Sequence, residues 1–499
     1  MYVRSSVQGK CSAMKCCCPS ATGKGPPSEA TPLSEKSRSS FTQKAAQVLI
    51  SGHAGHKESL TSSEWHAFFN EMMCLVGIGS LTLPYATKQV GLVISLIGLP
   101  LLSYFSWEGI RFVTVCAAEE KKRKALLRLS GKVGVAEDRG AWYSISTAAF
   151  GDWGWVATAV VLSVAQLGVS VSYVDQARGT LEYLLHISPS ASLSIMWAVL
   201  TFLSLQLNPG MRVVAWLSAF ALAVMFYTFV LEGYFAWWEG DGHGALRGEI
   251  VVARPQNIGV WYGPALFAFE GMGSALSIYD SMGSVDPKPF FGVISASYCL
   301  AVAIYMYVIL VGYLGWGEDI SRVVTHNYPD TSFGRSADYL LSLALVCAYT
   351  LQMTPIFQIT EEAMLQNFPR VGWLNWIWIP SRALLVGFTV LGSAAIPSIE
   401  RVCALTGSLA FSGICFILPG VLFLKLTRAE DMSMYEKTLS LLFIPLGLVL
   451  GIWGFIATLE DDSDWDPVST WQAGESLAPY NSSTMSSKVE HHKNISMFA

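Results

Sequence analysis

From Trp65 onward the chain reads as long apolar stretches punctuated by isolated charges. Runs free of Asp, Glu, Lys and Arg cover residues 72–87, 89–107, 153–174, 183–211, 213–231, 255–269, 289–317, 339–360, 383–399, 402–424 and 438–459. About 20 helical residues cross a hydrocarbon core of about 30 Å. The runs therefore predict eleven transmembrane helices. Backbone groups in lipid must bond within their own segment, which favours helices. A barrel would show short alternating strands instead, and these runs are continuous. Two segments fall outside the pattern. Residues 1–62, rich in Ser, Lys, Gly and Pro, predict a disordered tail without a signal-peptide core. Residues 460–499 form an acidic C-terminal tail.

Composition sharpens this picture. A length of 499 residues would suit roughly three soluble domains of about 150 residues. Hydrophobic residues at 52% and charged residues at 14% leave too few polar side chains to coat them. Mean hydropathy is +0.42, so lipid is the solvent for most of the chain. A net charge of -5 argues against a basic, nucleic-acid-seeking surface. Of the 10 cysteines, Cys74, Cys116, Cys299, Cys347, Cys403 and Cys415 lie in apolar runs, as small hydrophobes do. Cys11, Cys16, Cys17 and Cys18 cluster in the tail, where acylation and plain free thiols are both open readings. No CxxC pair occurs, and neither a metal nor a cofactor is expected.

Lys and Arg set the expected orientation. The N-terminal tail holds eight basic residues, Lys121, Lys122, Arg123, Lys124, Arg128, Lys132 and Arg139 lie between spans two and three, and Lys425, Arg428 and Lys437 between ten and eleven. Placing these inside satisfies the positive-inside rule, with a cytosolic N-terminus and an extracellular or luminal C-terminus. The sequons at Asn481 and Asn494 then fall outside.

Spans one and six repeat a signature. Gly77-Ile78-Gly79-Ser80 with Tyr85 matches Gly271-Met272-Gly273-Ser274 with Tyr279, at a constant offset of 194 residues. Two glycines in three residues weaken a helix by about 1 kcal/mol each. Such a weakness persists in a membrane where the freed backbone lines a cavity. Five spans separate the copies, so the second enters from the opposite side, as in inverted-repeat secondary transporters. The repeats run from about 63 to 237 and from about 256 to 427, with an extra helix at 438–459. Close helix packing by small residues is the competing explanation for a single copy.

The segment Val76–Ala86 resembles the first-span signature of the amino acid/auxin permease family. Phe267-Ala268-Phe269-Glu270-Gly271-Met272-Gly273 resembles the sixth-span motif of its proton-coupled amino acid transporters. Gln166-Leu167-Gly168 with Tyr173, Gly312-Tyr313-Leu314-Gly315-Trp316-Gly317, Arg382 and Ile396-Pro397 also fit, so the resemblance covers roughly residues 63–457 in order. It implies an all-α, LeuT-like fold of 5+5 inverted repeats plus one helix, and amino acid symport rather than an enzyme activity. Sodium-coupled relatives carry an Asn where this chain has Met73, a poor ligand for a hard cation, which favours proton coupling or plain facilitation over sodium.

An amino acid zwitterion needs donors for its carboxylate and acceptors for its ammonium, and interrupted helices supply both. Gly77, Gly79, Ser80 and Leu81 are expected at the carboxylate, with Phe267, Ala268 and Glu270 presenting backbone to the ammonium and Gly271 and Gly273 opening the second copy. Phe267 and Phe269 either wall the substrate side-chain pocket or simply pack. Tyr173, on one face with Gln166, and Thr350 are expected to line the site, whereas Gln352 reads as structural. Glu270, alone in an apolar span, is expected either to carry the coupling proton or to hydrogen-bond the loosened backbone of span one or six and only hold the break together. Asn70 and Glu71, one turn earlier in span one, could gate or cap it. Without an HExxH or GxGD motif, Ser80 has no base nearby and an intramembrane protease is disfavoured. An amino acid sensor built on the same fold would share the site, and only flux separates the two.

Overall fold

The computed structural model describes residues 63–129, 140–206, 211–237, 250–269, 271–367, 378–396, 399–428, 430 and 432–460. Both predicted tails, with the four tail cysteines and both sequons, lie outside these residues, as does Glu270. Thirteen helices follow in chain order. They are α1 (Glu64–Leu75), α2 (Ile78–Val90), α3 (Leu92–Leu129), α4 (Ala141–Leu185), α5 (Pro189–Gln206), α6 (Met211–Trp237) and α7 (Ile258–Phe267). Then come α8 (Met272–Ser281), α9 (Lys288–Trp316), α10 (Ser332–Asn367), α11 (Trp378–Ala395), α12 (Ile399–Leu426) and α13 (Met434–Glu460).

Among the described residues there is no strand, and nine helical stretches are long and apolar enough to cross a membrane, α1 and α2 counting as one. Shorter pieces occupy the other two predicted spans, α5 the fourth and α7 with α8 the sixth. Leu384, Phe388 and Leu391, on one face of α11, stay 76%, 61% and 68% exposed, as suits a surface turned to lipid. The inner surfaces merge into one large apolar core built on α1, α2, α7, α8 and α9, with a smaller one between α4, α5, α10 and α11.

The helices outrun the charge-free stretches that predict them. Glu71 lies inside α1, Glu108 and Arg111 inside α3, Asp175 inside α4 and Glu232 inside α6. Charged residues therefore mark span ends less strictly than assumed, because neighbouring helices rather than lipid surround these side chains. Arg111 of α3, for example, donates from Nη1 to Glu436 Oε1 of α13 at 3.1 Å. A turn at Gly91 joins α2 to α3. Its φ of +90° suits glycine, and an added Cβ would lie 2.6 Å from Ala253 Cα. That approach lets Leu92 and Val93 donate to the carbonyls of Val251 and Val252, each at 3.0 Å.

Candidate functional site

Both G-x-G-S motifs occupy the same helical register. Gly77 is the N-cap of α2 and Gly271 the N-cap of α8, so the second glycine and the serine fall in the first turn each time. Neither N-cap has a side chain to satisfy the first amides, as a helix start ordinarily requires. Ser80 folds back on its own cap, its Oγ donating to Gly77 O at 2.7 Å, whereas Ser274 Oγ lies 3.0 Å from Cys74 Sγ of α1 and 3.4 Å from Gly271 O.

The two interruptions face each other. A Cβ on Gly79 would lie 2.9 Å from Phe267 Cδ1 and 3.1 Å from Ala268 Cα. The Tyr305 hydroxyl of α9 stands 2.5 Å from Leu75 O, where α1 ends, and 2.5 Å from Ala268 O, where α7 ends. Glu71 of α1 reaches across as well: its Oε1 would be 2.7 Å from a Cβ on Gly271. It is fully buried, and neither carboxylate oxygen has a hydrogen-bond partner among the described residues. Asn70 beside it is equally buried, and its side-chain amide has no hydrogen-bond partner among the described residues. Tyr305 and the reach of Glu71 across the interface carry no sequence signal, since a polar residue within an amphipathic or apolar run does not reveal what it faces.

The remaining expected residues distribute around this junction. Leu81 is fully buried in the first turn of α2. The Phe267 ring packs edge-on against Phe411 at 5.7 Å, while Phe269 meets Tyr305 at 5.2 Å and Tyr298 at 6.0 Å. Gln166 of α4 packs directly over Gly273, with its Nε2 2.2 Å from where a Cβ would sit. Gln352 of α10 donates to Gln166 Oε1, joining α4 and α10 above α8. Tyr173 and Thr350 lie on these same two helices and are both buried. The Thr350 hydroxyl has no hydrogen-bond partner among the described residues.

Comparison with known proteins places the chain. The family described as transmembrane amino acid transporter protein matches residues 60–460. Amino acid transporter AVT3B of Arabidopsis thaliana is 26% identical over 431 residues, covering 80% of this chain and 94% of that protein. Vacuolar amino acid transporter 3 of Saccharomyces cerevisiae is 26% identical over 331 residues, 62% of this chain but 45% of the longer yeast protein. Among solved structures, the Eremococcus coleocola manganese transporter superposes with a TM-score of 0.53 at 11% identity, covering 89% of this chain and 93% of that one. That likeness concerns fold alone and puts the helices in the LeuT-like class. With most of its length matched by the family and its helices arranged in this way, the chain is an integral membrane protein belonging to the transmembrane amino acid transporter protein family.

Proposed function

We propose that the chain is a secondary active transporter that carries an amino acid across a membrane by alternating access around the interruptions before α2 and α8. The observation that carries the reading is their apposition. The start of α2, where Gly77 carries no side-chain cap, adjoins the chain at Phe267 and Ala268 through Gly79, with Ser80 and Leu81 in the same turn. Helix-start amides attract a carboxylate, and carbonyls left at helix ends attract an ammonium. Tyr173 and Thr350 complete the walls, with Phe267 and Phe269 setting the side-chain pocket. Gly271 and Gly273 give the second half the same close approach.

Proton coupling supports the chemistry best. Met73 offers a sodium ion nothing at the position where sodium-coupled relatives carry Asn. Carboxyls gather at the second interruption instead, Glu270 by sequence and Glu71 by its reach to Gly271. In this reading eleven spans, counting α5 and the α7–α8 pair, run from a cytosolic N-terminus to an extracellular or luminal C-terminus. The membrane is the plasma membrane or that of a vacuole or lysosome, the latter suggested by the name of the yeast relative.

Radiolabelled amino acid flux into proteoliposomes at two pH values, with and without sodium, tests the reading. Uptake should follow an inward proton gradient and ignore sodium. Saturable binding without flux would make the protein a sensor, and sodium-dependent flux would overturn the coupling.

A further inference from the structure

A second unpaired carboxyl lies away from the interruptions. Glu232 of α6 is fully buried, and neither of its oxygens has a hydrogen-bond partner among the described residues. It shares the space over Gly312 of α9 with Pro84 of α2. A methyl on Gly312 would meet Glu232 Oε1 at 2.6 Å and Pro84 Cγ at 3.0 Å. All three residues sit within two turns of the C-terminal ends of their helices, at Trp237, Trp316 and Val90.

The groups around it are neutral or acidic. From α9 comes Tyr307, whose hydroxyl donates to Phe229 O at 2.9 Å. Tyr328, in the segment after α9, donates to Thr228 O at 3.0 Å. Burial pushes the Tyr328 hydroxyl above its ordinary range, so it too is neutral. From α10, Asp338 acts on the same tyrosine and is engaged by Arg335 at 3.6 Å, while His326 neighbours Asp338 rather than Glu232. From α1, Glu71 is turned to Gly271. Among the described residues no cation pairs with Glu232.

An ionised carboxyl sealed among apolar and phenolic groups without a partner would cost several kcal/mol. The arrangement seen here therefore admits only the neutral acid. We propose that Glu232 is a proton-binding site whose occupancy is linked to the docking of α2 against α6 and α9. When Pro84 leaves Gly312, water reaches the carboxyl and the proton departs to solvent. When α2 returns, a proton must be taken up first. Acid on that side thus favours the docked position and alkali the open one.

The inference rests on α2 being a moving half-span, so docking and flux are measured in the same proteoliposomes. A cysteine replaces Thr87, which is buried one turn beyond Pro84, and a membrane-impermeant maleimide reports opening against the parent without that cysteine. The labelling rate, divided at each pH by that of a free cysteine peptide so that the thiolate fraction cancels, should climb with pH by at most about tenfold per unit, the limit for one proton. In Glu232→Gln and Glu232→Met, neither of which has a proton to release, labelling should stay slow and flat while substrate exchange persists. An unchanged pH profile in either variant overturns the inference. Failure of both to purify as monodisperse protein also overturns it, since the ionised form would then be what holds the fold. Absence of flux in the Thr87→Cys parent is a separate failure, that of the transport reading.

Discussion

The two interruptions share a motif and a register but differ in how far the chain departs from a helix. Before α2 the departure is complete: Val76 has φ -89° and ψ 62°, and Gly77 is extended at φ -102° and ψ -161°. Before α8 the described residues on either side of position 270 keep helical geometry. Ala268 has φ -61° and ψ -21°, Gly271 has φ -54° and ψ -21°, and Phe269 N still donates to Leu266 O at 3.0 Å. Identical glycines thus permit two depths of interruption, and packing chooses between them. An extended pair of residues can absorb large dihedral changes, as hinges do, whereas a near-helical turn keeps its direction. In the proposed transport cycle α2 is accordingly the half-span that moves and α8 the reference.

Substitution at the paired glycines tests this most severely. Leucine at Gly79 or Gly273 should abolish substrate binding, read by scintillation proximity on purified protein. Alanine should separate the two. At Gly79 the methyl meets Ala268 backbone, which cannot yield, so binding should weaken about tenfold, in line with overpacking costs of about 1–3 kcal/mol. At Gly273 it meets the tip of Gln166, which can swing aside at a smaller penalty. Equal losses at both sites would erase the distinction.

Tyr305→Phe comes next, because one hydroxyl serves both interruptions. Removing it leaves buried carbonyls short of a donor, at about 1–3 kcal/mol, and substrate affinity should fall about tenfold. A loss seen in thermal stability alone would confine the residue to packing. Glu270→Gln and Glu71→Gln then ask which carboxyl at the shallower interruption carries the proton. The responsible variant should keep substrate exchange and lose the pH dependence of net uptake, and the other should retain it. An unchanged profile in both would move the coupling site elsewhere.

The smallest effect belongs to a contact remote from both interruptions. Asp330 accepts from Arg335 Nε at 2.9 Å and Tyr183 Oη at 2.8 Å, and the Arg335 hydrogen bond foremost holds its carboxyl below the ordinary 3.8. Its contribution is therefore complete above pH 3.8 and disappears as pH falls through the lower folded value. The site is exposed, so Asp330→Asn should cost below about 1 kcal/mol near neutral pH. Substrate binding should be untouched, and a change there would show that the glycine substitutions also act at long range.

Much of the fold could be read from runs of apolar residues, since lipid forces every such run into a helix. The G-x-G-S repeat itself was legible, because two copies at one constant offset are harder to explain by close helix packing than one. Glu71 and Glu232 were harder. A charge at the edge of an apolar run reads as the end of a span, and only the packed bundle shows that the helix continues around it. Tyr305 was invisible for a different reason. One tyrosine among Tyr298, Tyr305, Tyr307 and Tyr313 in the same helix is singled out by what lies opposite, which is tertiary information.

Tyr305 has one proton for two carbonyls. It is a clasp with a single hook, able to hold Leu75 O or Ala268 O at full strength but not both together. Parting the halves of the molecule at this point costs about one neutral hydrogen bond, near 1 kcal/mol, or roughly a fivefold bias in population. A fastening that weak sets a resting preference without imprisoning it. In the proposed transport cycle a substrate ammonium takes the carbonyl that the hook leaves free, so hydroxyl and ligand share the pair instead of competing for it.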